Sequence, residues 1–272
     1  MQSLSLIDTW PVKNAATAVI ARDGRILGQH GDQDREFALA SVTKLLSATA
    51  ILLAVEEGAL ELDDPAGPEG STVRHLLAHA SGLDFSEDLI RARPGHRRVY
   101  SNLGINVLAE TFAERAEMPF EEYLREGILE PLEMASTRLE GAPAAGAIST
   151  VADLSRFAAE LQCPRVLHPD TIALATQVAF PGLDGVLPGF GRQSPNDWGL
   201  GFEIRDGKHP HWTGSRNSPQ TFGHFGQAGT FLWVDPVAEV ACVALTDRNF
   251  GSWSAEAWPA FSDAVLAEIA GS

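Results

Sequence analysis

Residues 37–58 read FALASVTKLLSATAILLAVEEG. Ser41 and Lys44 stand at the mouth of a long apolar run, and Gly58 closes it, a residue suited to the position just past a helix end. Leu45, Leu46, Ala48, Ile51, Leu52 and Val55 cover most of a helical circumference, so the segment is expected to be a central helix. A lysine in such a helix must be solvated or paired. Residues three apart share a helix face, which sets Lys44 beside the Ser41 hydroxyl. A serine hydroxyl is a weak nucleophile until something takes its proton, and a poorly solvated lysine can do so. Free N–H groups at the helix start also favour a developing oxyanion. Taken alone, S-x-x-K is more simply read as an N-cap serine followed by a solvated lysine.

The rest of the composition narrows the field. A chain of 272 residues with 44% hydrophobic and 21% charged residues is a folded globular protein, large enough for one big domain. A formal net charge of -16 argues against nucleic acid as a partner, since phosphate binding needs a basic surface. It also disfavours an anionic membrane surface. The longest apolar run, Leu45 to Val55, is too short to span a bilayer, and MQSLSLIDTWPVKNAA lacks the blocks of a signal peptide. A cytoplasmic location with Cys163 and Cys242 as two buried thiols is expected.

Along the chain, two β-prone runs around Asp23-Gly24 read as a hairpin. Helical patterns follow at STVRHLLAHA, from Tyr100 to about Leu129 with a break at Pro119, at STVADLSRFAAEL behind a Ser149 or Thr150 cap, and at HPDTIALATQ. Residues 180–196 are rich in glycine and proline and read as a loop. WGLGFEIRD, TFGHFGQ, TFLWVDP and AEVACVALTD then change to period 2, and a last helix runs from about Trp253 to Ile269. Strands at both ends and helices between them predict an α/β (α+β) chain. One antiparallel sheet comes from about 1–60 and 195–272, covered by the first and last helices, with a helical subdomain over about 61–194.

Two further clusters give the serine and lysine a context. PGHRRVYSNLG carries Tyr100 and Asn102 just before a helical pattern. A phenol can shuttle protons near a cation, and an amide can accept from a lysine and donate to a carbonyl. GHFGQAG places His224 and Gly226 on a strand, where a glycine lets a substrate backbone approach. The order S-x-x-K, Y-x-N, H-x-G resembles the penicillin-recognising serine hydrolases: class C β-lactamases, soluble DD-peptidases and family VIII esterases. LELDDP, VRHLLAHASGL, AGAISTVADLSRF and GTFLWVDP extend the resemblance along nearly the whole chain.

The resemblance implies the β-lactamase/transpeptidase-like fold, a small-molecule ester or amide substrate, and no metal or cofactor. It implies Ser41 as acylated nucleophile and Lys44 as proton acceptor or tuner. Tyr100 is implied as general base and then acid, and Asn102 as a substrate-positioning amide. His224 is implied beside Tyr100, facing any substrate carboxylate. Gly226 supports close approach, and the N–H groups of Ser41 and Gln227 form the oxyanion hole. His-Phe-Gly in place of the family's Lys-Thr-Gly removes a permanent cation, which makes carboxylate-bearing lactams poorer substrates. A β-lactamase or DD-peptidase proper, and a non-catalytic ligand-binding member, remain the alternatives.

Other groups have plainer readings. His75 and His79 have metal-binding i, i+4 spacing but are expected to pack in a helix. Asp63 and Asp64 form a turn before Pro65. His211-Trp212-Thr213-Gly214 is expected to be a surface loop. Phe225 is read as either core or cleft lining.

Overall fold

The computed structural model describes residues 1–271. Asp23 and Gly24 turn the chain between β1 (Ala15–Ala21) and β2 (Ile26–His30), with Gly24 at φ 82°. Short strands β3 (Phe37–Ala38), β4 (Arg138–Leu139) and β5 (Ala147–Ser149) form a small separate sheet. The apolar run becomes α1 (Thr43–Glu56), and Gly58 follows it at φ 76°. The helix starts two residues later than its sequence suggests, because Ala40–Val42 form a separate 3-10 turn. Ser41 therefore sits in that turn and does not cap α1.

The middle of the chain holds α2 (Val73–Leu77), α3 (Asn102–Ala116), α4 (Phe120–Leu124), α5 (Val151–Gln162) and α6 (Pro169–Ala175). Ser101 caps α3 by accepting from the Gly104 N–H at 2.8 Å, and Thr150 caps α5 by accepting from Asp153 at 3.1 Å. α2 is shorter than its pattern, since His79 turns to φ 52°. Residues 180–196, expected to be a loop, contain a small hairpin of β6 (Gly185–Leu187) and β7 (Gly191–Gln193).

The chain ends with β8 (Glu203–Ile204), β9 (Phe222–Gly226), β10 (Thr230–Asp235), β11 (Val240–Thr246) and α7 (Ser252–Ala270). β8 keeps only two residues of the nine expected to be extended. The large sheet runs β2-β1-β11-β10-β9-β8, antiparallel throughout, so both chain ends build it.

Period 2 sorts its side chains. Ile20, Leu232 and Val243 join the core that contains α1, whereas Val19, Trp233 and Cys242 join Trp258 and Phe261 of α7. The first of these cores also holds Leu154 and Phe157 of α5, so a helix from the middle segment lies on the sheet together with α1. Phe222 falls on the α1 side and Phe225 on the α7 side. His224, two residues after Phe222, therefore faces α1. Phe225 is core, 4.9 Å from Phe250 and 5.9 Å from Trp258 between ring centres.

Among the described residues no helix is long and apolar enough to cross a membrane. Cys242 is buried, but Cys163 is exposed at the end of α5, against the expectation of two buried thiols; both are free.

Candidate active site

Lys44 is completely buried, with no exposed surface. Its ammonium is nevertheless partnered. Nζ donates to Ser41 Oγ at 3.1 Å, to Asn102 Oδ1 at 2.6 Å and to the Ala144 carbonyl at 2.9 Å. It also lies 4.9 Å from the centre of the Tyr100 ring. Burial favours the neutral amine and pulls its pKa down to about 7. The amine therefore changes charge near neutrality, about 3 Å from a serine oxygen.

Tyr100 completes a triangle on Ser41. Its Oη donates to Ser41 Oγ at 2.8 Å and stands 3.1 Å from His224 Nε2. Burial pushes the phenol well above its ordinary range, and the nearby Glu203 carboxylate adds to the rise. The ring is held on several sides: His79 at 4.7 Å, Trp198 at 5.7 Å, Phe85 at 5.9 Å and His224 at 5.5 Å between ring centres. His79 is held in turn by the Ser101 N–H, which donates to its Nδ1 at 3.2 Å.

His224 is neutral. Its Nδ1 lies 2.6 Å from the Phe225 carbonyl, which only accepts, so Nδ1 carries the proton and Nε2 is a bare acceptor that competes with Ser41 Oγ for the one Tyr100 hydroxyl proton. Burial, reinforced by Lys44, lowers its pKa to about 3.

Gly226 ends β9 against the Ser41 turn. A Cβ there would fall 2.2 Å from the Leu39 carbonyl oxygen and 3.2 Å from Ala40 Cβ. Thr230 fastens the same contact by donating to the Leu39 carbonyl at 2.8 Å. Ala40, just before Ser41, is held at φ 46°, a strained conformation for a residue with a side chain. The Gln227 backbone follows directly, while its exposed amide donates to the Phe250 carbonyl at 3.3 Å.

Seven separated positions thus meet: Ser41, Lys44, Tyr100, Asn102 and His224 as one hydrogen-bonded set, with Gly226 and Gln227 at its edge. A chain model of the family described as Beta-lactamase matches residues 12–267. The chain belongs to that family. The crystal structure of a β-lactamase from Mycobacterium bovis superposes with a TM-score of 0.97 at 58% identity, over 98% of this chain and 99% of that one. Esterase EstB of Burkholderia gladioli is 38% identical over 117 residues, 34% of this chain and 29% of its own length. The D-alanyl-D-alanine carboxypeptidase/endopeptidase AmpH of Escherichia coli is 24% identical over 147 residues, 40% of this chain and 38% of its own. The chain thus spans well under half the length of these two curated relatives.

This β-lactamase-family site also contains parts that the motifs do not announce. The Ala144 carbonyl is the third partner of Lys44; the small-residue stretch around it is visible in the sequence, but a backbone acceptor has no side-chain signature. His211, Trp212 and Thr213 are buried, contrary to the surface loop expected of them. Glu203 accepts from Lys208 at 2.8 Å, from His211 Nε2 at 2.8 Å and from the Trp212 indole, all within the interior. This cluster lies behind β9 and does not touch Ser41. His75 stacks on Phe180 at 4.5 Å and bonds Thr72 at 2.9 Å, so it and His79 have separate partners. Asp63 and Asp64 pair with Arg74 and Arg115 on the surface.

Proposed function

We propose that this protein is a serine hydrolase that forms an acyl-enzyme on Ser41 and prefers small uncharged esters. The observation that carries this reading is the placement of Ser41 Oγ, 3.1 Å from the Lys44 amine and 2.8 Å from the Tyr100 hydroxyl. The raised phenol does not supply a standing phenolate, so Lys44 takes the role first expected of Tyr100. Neutral Lys44 accepts the Ser41 proton as Oγ attacks the carbonyl carbon. The N–H groups of Ser41 and Gln227 hold the oxyanion, and Asn102 orients the substrate. Tyr100 gives its proton to the departing alkoxide and becomes a phenolate beside the Lys44 ammonium. In the second half, the phenolate takes a proton from water as water attacks the ester, and Lys44 returns its proton to Oγ. Every group ends as it began.

The preference for uncharged substrates follows from the charges. With His224 neutral and Lys44 neutral in its active form, no fixed cation in this set awaits a carboxylate. Lactam hydrolysis is the second reading, favoured by the name of the Mycobacterium bovis relative. A free, exposed Cys163 suits a reducing compartment, and we place the enzyme in the cytoplasm on that ground. Parallel assays with a chromogenic acetate ester and a chromogenic lactam decide between the substrates. Ester turnover at least ~10-fold the higher in kcat/KM is expected, a difference worth about 1.4 kcal/mol in barrier. The reverse order refutes the ester preference.

A further inference from the structure

A cavity of about 330 Å³ adjoins this set, and Tyr100 forms part of its wall while Ser41, Lys44, Asn102 and His224 do not. Phe85, Val99, Val186 and Pro188 give it an apolar lining. Most of its charged groups are already engaged. Asp84 and Arg91 pair at 2.5 Å, and Arg98 turns its guanidinium to the backbone carbonyls of Ala78 at 2.6 Å and Ala179 at 2.8 Å. Arg97 stands exposed at the rim. Phe85 and Val186 are 48% and 49% exposed, an unusual state for large apolar chains that flank a cleft.

Both walls are fixed to the segment that carries Tyr100. Phe85 stacks on the Tyr100 ring, and its carbonyl accepts from the Asn102 N–H at 2.8 Å. Opposite, Arg98 bridges to Gly185 in parallel, and the Arg98 N–H donates to the Asp184 carbonyl at 2.9 Å. A Cβ at Gly185 would fall 2.6 Å from the Arg98 carbonyl oxygen, so glycine permits this approach and sets Val186 on the wall. The cavity is therefore built into the fold, and Tyr100 is one of the residues that line it.

We propose that this cavity is the leaving-group site, and that the preferred substrates are esters of bulky apolar alcohols. The assignment rests on the serine-hydrolase reading, in which Tyr100 hands its proton to the departing oxygen. The part of the substrate that lies against Tyr100 is then the alcohol and not the acyl group. At roughly 30 Å³ for each water-sized group, the cavity takes about ten heavy atoms, the size of 2-phenylethanol.

The test compares acetates of ethanol, butanol and 2-phenylethanol. They share one acyl group, and their alcohols have closely matched acidity, so kcat/KM for acylation reads the alcohol's fit. 2-Phenylethyl acetate carries six more carbons than ethyl acetate; with about half of them leaving water against these half-exposed walls, at about fourfold each, it is expected to exceed ethyl acetate by on the order of 10–100-fold. Val186→Asp should cut that ratio below ~5-fold, whereas Val186→Leu should keep it, because only the first puts a charge on the apolar wall. The ratio of two substrates on one protein cancels any loss of folded enzyme. Equal kcat/KM for the three acetates, or a ratio that Val186→Asp leaves unchanged, overturns the leaving-group assignment alone. Failure to turn over any acetate, together with no labelling of Ser41 by a fluorophosphonate, overturns it and the hydrolase reading together.

Discussion

Replacing Lys44 with methionine should change how stability and activity depend on pH, and the two changes share one cause. Burial holds the Lys44 pKa at about 7 in the folded protein, against about 10.4 for an unperturbed lysine. The sign follows from proton counts. Between these values the unfolded chain keeps a proton that the folded protein has shed, so raising the pH favours the fold. The contribution is complete above the unfolded pKa and disappears as the pH falls through about 7. Integrated from pH 7 to 9 it comes to about 2 kcal/mol. Lys44→Met removes that titration while keeping a similar shape. The urea-unfolding free energy of wild type, minus that of the variant, should therefore rise by about 2 kcal/mol over this interval. Other titrating groups cancel in the subtraction. Wild-type kcat/KM should climb through the same pH region, since only the neutral amine accepts the Ser41 proton, and the variant should lose on the order of 10²-fold or more. A stability difference that stays flat from pH 7 to 9 would refute the buried, titrating lysine. An activity profile with no limb near pH 7 would refute its role as the base.

Tyr100→Phe should cost roughly 10²–10⁴-fold in kcat while binding persists, the scale of a lost proton donor. The Lys44→Met/Tyr100→Phe double variant should fall short of the product of the single losses in steady-state kinetics; full additivity would mean that the two do not act as one unit. For His224, whose pKa lies at about 3, the kcat/KM ratio of an uncharged ester to its carboxylate analogue should stay constant from pH 6 to 8. This replaces the pH-sensitive ratio that an exposed histidine near pH ~6.5 would give. His224→Lys should lower the ratio by supplying a cation, and an unchanged ratio in that variant would show that position 224 does not meet the carboxylate.

The fold was legible where periodicity was strong and one-sided. The alternation in TFGHFG and TFLWVDP gives β9 and β10 and puts His224 on the α1 side, and the apolar circumference of 45–55 gives α1. Short or mixed signals misled. WGLGFEIRD alternates, yet Trp198 and Leu200 go into the core outside the sheet, Trp198 with a single antiparallel bridge back to Glu203, and only Glu203 and Ile204 remain in β8. His211 and Trp212 look like surface residues because nothing local announces a buried carboxylate; Glu203 supplies it from eight residues away. Residues 180–196 hide the β6–β7 hairpin, since the pairing of Gly185 with Arg98 is long-range. In the candidate site, the residue types were legible and their protonation was not. A sequence shows a lysine, a tyrosine and a histidine. That the lysine is dry, the phenol raised and the histidine fixed as an acceptor by the Phe225 carbonyl depends on packing and backbone geometry.

The central claim is that Ser41 becomes acylated. Treating the protein with a fluorophosphonate and mapping the adduct by peptide mass spectrometry tests it most directly. One adduct, on the peptide bearing Ser41, is the predicted result. Ser41→Ala should show none while its thermal unfolding remains cooperative. An adduct on another residue, or equal labelling of a folded Ser41→Ala protein, would contradict the account.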